Sequence, residues 1–149
     1  MILGLDHIGV AVESLEKGLE SYSKKLGFHH HHTEEVPNTE EVPTENVRVA
    51  LLFGGPDRVE LLEPTSDQSP IALFLKKRGP GVHHLAFRVD DIEKEIARLR
   101  GEGVQLIEPA PRPGAEGAKV AFIHPKSTGG VLIELVERAR RGHSQKPAE

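Results

Sequence analysis

The pattern of hydrophobic and polar positions follows the same order twice along this chain. Residues 5–12 alternate as in a β-strand, and hydrophobic residues then recur at helical spacing behind Ser14, a suitable N-cap. An offset of 77 residues (84 − 7 = 77) aligns His7 with His84. The same offset superposes two helical stripes, which are Leu15, Leu19 and Tyr22 in the first copy and Ile92, Ile96 and Leu99 in the second. The sequence therefore predicts a strand followed by an amphipathic helix, present in two copies.

The last strand of each copy matches as well. The segment VELLE at 59–63 aligns with IELVE at 133–137, and the offset between Glu60 and Glu134 is 134 − 60 = 74. Because this offset is close to 77, the two copies differ by only a small net insertion. Each copy therefore carries one histidine on its first strand and one glutamate on its last strand.

The remaining elements are predicted from alternation, helix caps and turn residues. A helix is expected behind Ser69, and a strand over 28–36 contains four consecutive histidines. The segments 37–46 and 109–117 are predicted as loops because both are rich in proline. The other strands are predicted at 47–53, 58–63, 82–89, 104–107, 119–124 and 131–137. The organisation that follows is one domain with a first module at 1–68, a connecting helix and loop at 69–81, a second module at 82–137 and a disordered tail at 138–149.

Composition narrows the function classes. The chain has 149 residues and a formal net charge of −4, so it lacks the basic surplus typical of nucleic-acid binding. No apolar run approaches the roughly 20 residues that span a bilayer, and the N-terminus does not read as a signal peptide. The absence of cysteine excludes disulfides and thiolate metal sites. We expect a cytoplasmic protein with no nucleic-acid or membrane partner.

The repeated histidine and glutamate positions point to a divalent metal site. A single strand histidine is usually a packed or surface residue, but a carboxylate in an aliphatic strand is costly to bury unpaired. Imidazole and carboxylate together favour Mn, Fe, Co, Ni or Zn. The candidate ligands are His7, Glu60, His84 and Glu134. Four such ligands would leave two positions of an octahedral shell open to a chelating substrate.

Other histidines are interpreted differently. The run at 29–32 would alternate between the two faces of a strand, so at most two of its side chains could converge on one ion. We therefore predict a solvated run that binds metals adventitiously. His83 points away from His84 and is expected to be structural or exposed, while His124 is expected to hold the loop before the last strand.

Six segments of the chain resemble the methylmalonyl-CoA epimerase family, which belongs to the vicinal oxygen chelate superfamily with glyoxalase I and the extradiol dioxygenases. The resemblance covers about residues 3–137. Its most specific part is His-Pro-Lys-Ser, beginning at His124, followed by GVLIEL at 130–135, whereas the strand–His–Gly opening is shared by many relatives. The other segments are LDHIGVAV at 5–12, ELLEP at 60–64, SPIA at 69–72, GVHH at 81–84 and VDDI at 89–92.

The resemblance implies an α+β fold of two tandem βαβββ modules that form a curved sheet around a metal, the glyoxalase/bleomycin-resistance fold. By motif match His7, His84 and Glu134 would be ligands, and Glu60 occupies the position of the fourth ligand, where relatives carry Gln or Glu. One divalent ion per subunit is expected, Co²⁺ or Mn²⁺ ahead of Ni²⁺, Zn²⁺ or Mg²⁺. A homodimer is also expected, since half-open modules leave sheet edges that proteins usually cover.

The implied reaction is interconversion of the (2R) and (2S) epimers of methylmalonyl-CoA through an enolate. Glu134 is expected to act as one base by motif match and Glu60 as the other by the internal repeat. Lys126 and Ser127 are expected to bind the acyl-CoA substrate. Some family members carry a glutamate, implicated as a base, where this chain has Val49.

Two other functions remain open at this point. A glyoxalase I-like lyase can use the same ligand set on a glutathione hemithioacetal, although the His-Pro-Lys-Ser loop favours a CoA substrate. A metal-free binding protein of the same fold, such as a drug-sequestering dimer, would not need four intact ligand positions.

Overall fold

The computed structural model describes residues 1–36 and 46–139. The chain divides into two compact units, one formed by Met1–Asp6 with His84–Ala139 and the other by His7–His83. Strand β1 (Ile2–Ala11) contributes its first residues to the former unit and its last residues to the latter. The loop predicted at 37–46 and the tail predicted at 138–149 lie, apart from Asn46, Arg138 and Ala139, outside the described residues.

The unit His7–His83 contains the first βαβββ copy. Within it the strands lie in the order β2-β3-β4-β1, with β3 antiparallel to both neighbours and β1 parallel to β4. The order of elements agrees with the prediction. Its helices and strands after β1 are α1 (Leu15–Leu19), a π-helix (Glu20–Lys25), β2 (His29–Val36), β3 (Val47–Gly54), β4 (Asp57–Pro64) and α2 (Pro70–Arg78).

The first helix has the predicted N-cap at Ser14, but it is not an α-helix over its whole length. The Ser14 hydroxyl accepts a hydrogen bond from the Lys17 amide at 3.1 Å, and the helix changes to π geometry after Leu19. A Cβ on Gly18 would lie 3.0 Å from Leu61 Cδ1, so the glycine lets α1 approach β4 closely. The predicted stripe packs on the sheet, where Leu15, Leu19 and Tyr22 meet Ala50, Leu52 and Leu61.

The opposite face of this sheet carries the second apolar cluster and the candidate site residues. Helix α2, capped by the buried Ser69, packs Ile71 against Ala11 and Val49. Both faces of β1 are covered, since His7, Gly9 and Ala11 on one face are buried and Ile8 and Val10 on the other are partly buried. β1 therefore has protein on both sides, as is usual for a strand in a parallel pair.

The other unit contains the second βαβββ copy. Its strands lie in the order β5-β8-β7-β6, with β5 parallel to β8. Asp91 caps the helix by accepting a hydrogen bond from the Lys94 amide, and Ile92 and Ile96 pack against Leu135. The elements are β5 (Gly81–Val89), α3 (Ile92–Gly101), β6 (Leu106–Pro113), β7 (Lys119–Ile123) and β8 (Ile133–Glu137).

The loop predicted at 109–117 is wrong for residues 109–113, which belong to strand β6, whereas 114–117 lie outside the strands. The strand runs through Pro109 and Pro111 to Pro113, although its register against β7 shifts between Ile107 and Arg112. Proline removes a hydrogen-bond donor from a ladder, which an edge strand tolerates, and β6 is the last strand in the order of this unit. The proline content was therefore a misleading loop signal here.

The predicted tail begins with an ordered contact. The Arg138 guanidinium binds Asp6, whose carboxylate is fully buried, with Nη2 and Oδ2 2.6 Å apart. Arg88 binds the same carboxylate at 3.0 Å. Among the described helices, none combines the length and the apolar character needed to cross a membrane.

Candidate active-site residues

The first histidine–glutamate pair lies on two neighbouring parallel strands. Gly9 of β1 is the Cα partner of Glu60 on β4, so His7 and Glu60 project from the same face. His7 Nε2 lies 3.4 Å from Glu60 Oε1, and both residues are buried. Arg58 Nε donates a hydrogen bond to the other carboxylate oxygen, Oε2, at 2.9 Å. The carboxylate is thus satisfied although it lies in an aliphatic strand.

The second pair repeats this arrangement in the other unit. Ala86 of β5 is the Cα partner of Glu134 on β8, and His84 Nε2 lies 2.9 Å from Glu134 Oε1. Both residues are buried, and the His84 ring packs edge-on against Phe122 at 5.9 Å between centroids. In both units the residue two positions after the histidine is the strand partner of the glutamate. The internal repeat read from the sequence is therefore present in the strand register.

The chemistry of these donors fits a divalent ion. Two donors at about 2.1 Å from one ion and at right angles to it would lie about 3 Å apart. The two nitrogen–oxygen distances, 3.4 Å and 2.9 Å, bracket that spacing. Buried imidazole and carboxylate together suit first-row divalent metals better than the alkaline earths. Each unit therefore supplies two candidate metal-binding residues, and their binding of an ion stays a prediction.

Position 49 offers no carboxylate, because a valine stands there. Val49 is buried in the α2-facing cluster and pairs with Leu62, while its neighbour Leu51 pairs with Glu60 on the same face. The Cα partner of Val49 on β2 is Glu34, whose Oε1 lies 2.8 Å from His32 Nε2. The sequence reasoning missed both Glu34 and the Arg58 contact to Glu60, although strand alternation already put Arg58 and Glu60 on one face.

The histidine run at 29–32 has separate partners. His30 Nε2 lies 2.8 Å from Thr33 Oγ1, and His32 Nε2 lies 2.8 Å from Glu34 Oε1. The His31 ring instead packs edge-on against Phe53 at 5.8 Å. The first three histidines are exposed and the ladder register shifts between His30 and His32. These contacts favour the predicted solvated run over a functional metal site.

The remaining predicted residues have structural contacts. The His83 ring packs edge-on against Phe74 at 4.9 Å, which agrees with a structural histidine. His124 Nδ1 accepts a hydrogen bond from the Lys126 amide, and Ser127 Oγ accepts one from the Gln105 amide at 2.9 Å. His124 therefore shapes the turn before β8, as predicted. Lys126 and Ser127 are both exposed on this turn.

Repeated βαβββ units with a buried histidine–glutamate pair in each define a class of proteins, the Glyoxalase/Bleomycin resistance protein/Dioxygenase superfamily. The sequence pattern of that superfamily matches residues 6–122 of this chain, and the predicted α+β glyoxalase/bleomycin-resistance fold is confirmed. The mitochondrial methylmalonyl-CoA epimerase of Dictyostelium discoideum is 38% identical over 137 residues, which are 90% of this chain and 78% of that protein. Within the superfamily, the chain belongs to the methylmalonyl-CoA epimerase family.

Solved structures agree with this assignment. The crystal structure of methylmalonyl-CoA epimerase from Mycobacterium tuberculosis is 42% identical, with a TM-score of 0.83 over 93% of this chain and 90% of that chain. A methylmalonyl-CoA epimerase solved in complex with methylmalonyl-CoA and NH4+ is 39% identical, with a TM-score of 0.82 over 93% of this chain and 96% of that chain.

Proposed function

We propose that the protein interconverts the (2R) and (2S) epimers of methylmalonyl-CoA. The observation that carries this proposal is the pair of buried histidine–glutamate couples, His7 with Glu60 and His84 with Glu134, in a chain of the epimerase family. A relative has been solved in complex with methylmalonyl-CoA, and the present chain matches 96% of that relative's chain. This match supports a CoA thioester as substrate.

The four residues are proposed to hold one divalent ion per subunit, Co²⁺ or Mn²⁺ in preference to Ni²⁺, Zn²⁺ or Mg²⁺. The support comes from the donor types, their burial and their relation by the internal repeat. When bound, such an ion polarises the substrate oxygens and stabilises the negative charge that develops when C2 loses its proton. A metal-free binding protein would have no need for two buried carboxylates in aliphatic strands.

The glutamates are proposed to move the proton. Glu134 takes the proton from one face of C2, the electron pair of that C–H bond passes into the thioester carbonyl, and a carboxylic acid on the opposite face returns a proton to C2. Glu60 is the proposed partner because the internal repeat relates it to Glu134. Since Arg58 binds Oε2 of Glu60, Oε1 is the oxygen left both for the ion and for the proton, so Glu60 would have to release the ion in part before it takes a proton.

Lys126 is proposed to bind the CoA moiety, and Ser127 to shape the turn that presents it. A lysine ammonium is a compact charge suited to phosphate, and Lys126 is exposed on the turn fixed by His124 and Ser127. Replacing Lys126 by alanine should raise KM for methylmalonyl-CoA and leave kcat nearly unchanged. Lys24→Ala is the control, because Lys24 is also exposed but lies elsewhere, in the π-helix. This variant should change neither constant.

We propose a homodimer because the first residues of β1 are apolar and exposed. Four hydrophobic residues there, Met1, Ile2, Leu3 and Leu5, are 51–70% exposed, and an apolar strand segment of this kind is usually covered. A second copy of the chain is the proposed cover. Leu3→Glu should shift the sedimentation coefficient from dimer towards monomer, whereas a wild-type monomer at every concentration would refute the proposal. The cytoplasmic location stays a prediction.

The experiment that tests the activity compares two substrates. Metal-loaded protein is incubated with (2S)-methylmalonyl-CoA and, separately, with the hemithioacetal of methylglyoxal and glutathione. Epimerisation of the first without lactoylglutathione formation from the second supports the proposal. The reverse result would assign the protein to the glyoxalase I-like lyases.

A further inference from the structure

We infer that Arg58 is the charge partner of Glu60, so that the two side chains together offer a metal ion an oxygen ligand with little net charge. Arg58 would then be a positioning residue that acts on the reaction through Glu60. This inference rests on the proposed role of Glu60 as a ligand.

The two oxygens of Glu60 face different partners. Oε2 accepts the hydrogen bond from Arg58 Nε at 2.9 Å, and Oε1 lies 3.4 Å from His7 Nε2. The side chains of Arg58 and Glu60 are only 9% and 7% exposed, so water does little to screen the pair. Glu60 is thereby oriented to present one oxygen beside His7 while the guanidinium occupies the other.

Arg58 is itself fixed by the adjacent strand. Phe53 on β3 is its Cα partner, and the centre of the guanidinium lies 5.8 Å from the centroid of the Phe53 ring. An aromatic face at this distance favours a cation. Arg58 and Glu60 are two positions apart on β4 and therefore project from the same face. The strand register therefore brings the two side chains to the same face of β4, beside the Phe53 ring.

The charges determine what this contact does. A guanidinium stays protonated throughout the working range of a protein, so Arg58 contributes a constant positive charge beside Glu60. A divalent ion held by Glu60 and His7 would be attracted by the carboxylate and repelled by the guanidinium. Because both side chains are buried, these opposing effects are large and partly cancel. The protein would then neutralise less of the charge of a bound ion, and more of it would remain to act on the substrate oxygens.

The inference predicts opposite effects for the two halves of the pair. Arg58→Met keeps an unbranched apolar side chain over Phe53 and removes the positive charge, so the dissociation constant for Mn²⁺ should fall about tenfold. Glu60→Gln keeps an oxygen ligand but leaves Arg58 uncompensated, so the dissociation constant should rise about tenfold or more. In the double variant it should return to within about threefold of wild type.

The measurement is a titration of metal-free full-length protein with Mn²⁺, followed by electron paramagnetic resonance. Mn²⁺ is the suitable probe because imidazoles alone bind it weakly. The exposed histidines at 29–32 should therefore contribute little background binding. Arg48→Met is the matched control. Arg48 also pairs with a glutamate of β4, Glu63, at 2.9 Å, but that pair lies on the opposite face and is more exposed. The affinity of the Arg48→Met variant for Mn²⁺ should equal that of wild type.

Tighter binding by Arg58→Met, together with recovery in the double variant, would support the inference, because loss of packing alone weakens a metal site. Unchanged or weaker binding by a folded Arg58→Met variant would overturn it, as would a double variant that binds as weakly as Glu60→Gln. The variants are first compared with wild type by near-ultraviolet circular dichroism and thermal unfolding. If Arg58→Met does not fold, Arg58→Leu or Arg58→Gln takes its place under the same criteria. The titration uses no acyl-CoA, so a wild-type protein that binds Mn²⁺ without epimerising methylmalonyl-CoA would refute the proposed function alone.

Discussion

His84 Nε2 lies 2.9 Å from Glu134 Oε1, and the same relationship joins His7 to Glu60 at 3.4 Å in the other unit. Each pair is placed by one parallel strand pairing, β5 with β8 and β1 with β4. Neighbouring strands are about 4.8 Å apart, so side chains on one face of such a pair meet without any contribution from a loop. The candidate ligands therefore lie on regular strands and not on loops.

Replacing a proposed ligand should affect metal binding far more than replacing its neighbour. His84→Ala removes an imidazole beside Glu134, and we expect at least a tenfold loss in affinity for Mn²⁺ or Co²⁺ by calorimetric titration. His83→Ala is the control, because His83 lies on the other face and packs on Phe74. Equal losses in the two variants would contradict the assignment of His84.

Glu134→Gln should abolish proton transfer without unfolding the protein. The amide can still offer an oxygen but cannot accept a proton, so deuterium exchange at C2 of methylmalonyl-CoA should fall by about 10²–10⁴-fold. Glu137→Gln is the matched control, since Glu137 lies on the opposite face of β8 and accepts a hydrogen bond from the Ile92 amide. That variant should lose some stability and keep its exchange rate.

Glu60→Gln should reduce epimerisation by about 10²-fold or more at saturating metal, the usual scale for loss of a positioned acid–base group. The double variant Arg58→Met/Glu60→Gln separates two causes of this loss. If Glu60 transfers a proton, the double variant stays inactive even where its metal affinity is restored. Full recovery of epimerisation in the double variant would show that Glu60 is only a ligand. The next acid to test would be Glu34, which is the Cα partner of Val49.

The sequence alone was sufficient to predict the repeat and the matching histidine and glutamate positions that depend on it. Strand alternation and the offsets of 77 and 74 align His7 with His84 and Glu60 with Glu134, and the strand register pairs Gly9 with Glu60 as it pairs Ala86 with Glu134. These features follow from local periodicity, which a repeated module expresses twice. The internal comparison therefore strengthens signals that are weak in each copy.

Features that depend on neighbouring elements were not predictable in the same way. β6 continues through its prolines because it pairs with β7 on one side, and the burial of both faces of β1 depends on α2. Alternation puts Arg58 and Glu60 on one face, but the hydrogen bond between them and the contact of the guanidinium with Phe53 are tertiary details. Tertiary contacts of this kind have no local sequence signature.

Glu95 should make stability depend on pH in the acid range. The Arg98 guanidinium binds this buried carboxylate at 2.8 Å and lowers the pKa of Glu95 below its usual value of 4.5. A lowered pKa in the folded state contributes stability that is present above pH 4.5 and is lost as the pH falls through the lower value. Glu95→Gln should thus unfold more easily in urea at pH 7, and its difference from wild type should shrink towards pH 3. A constant difference would contradict this account.

Metal-dependent deuterium exchange at C2 of methylmalonyl-CoA is the decisive test of metal-assisted epimerisation by this protein. The protein is stripped with a chelator, reloaded with Mn²⁺ or Co²⁺ in D₂O, and given one epimer while C2–H is followed by proton magnetic resonance. We expect reloaded protein to exchange C2–H and to bring either epimer to a mixture of both, and stripped protein to do neither. Exchange that persists at full rate after the metal is removed, or reloaded protein that leaves C2–H intact, would contradict this expectation.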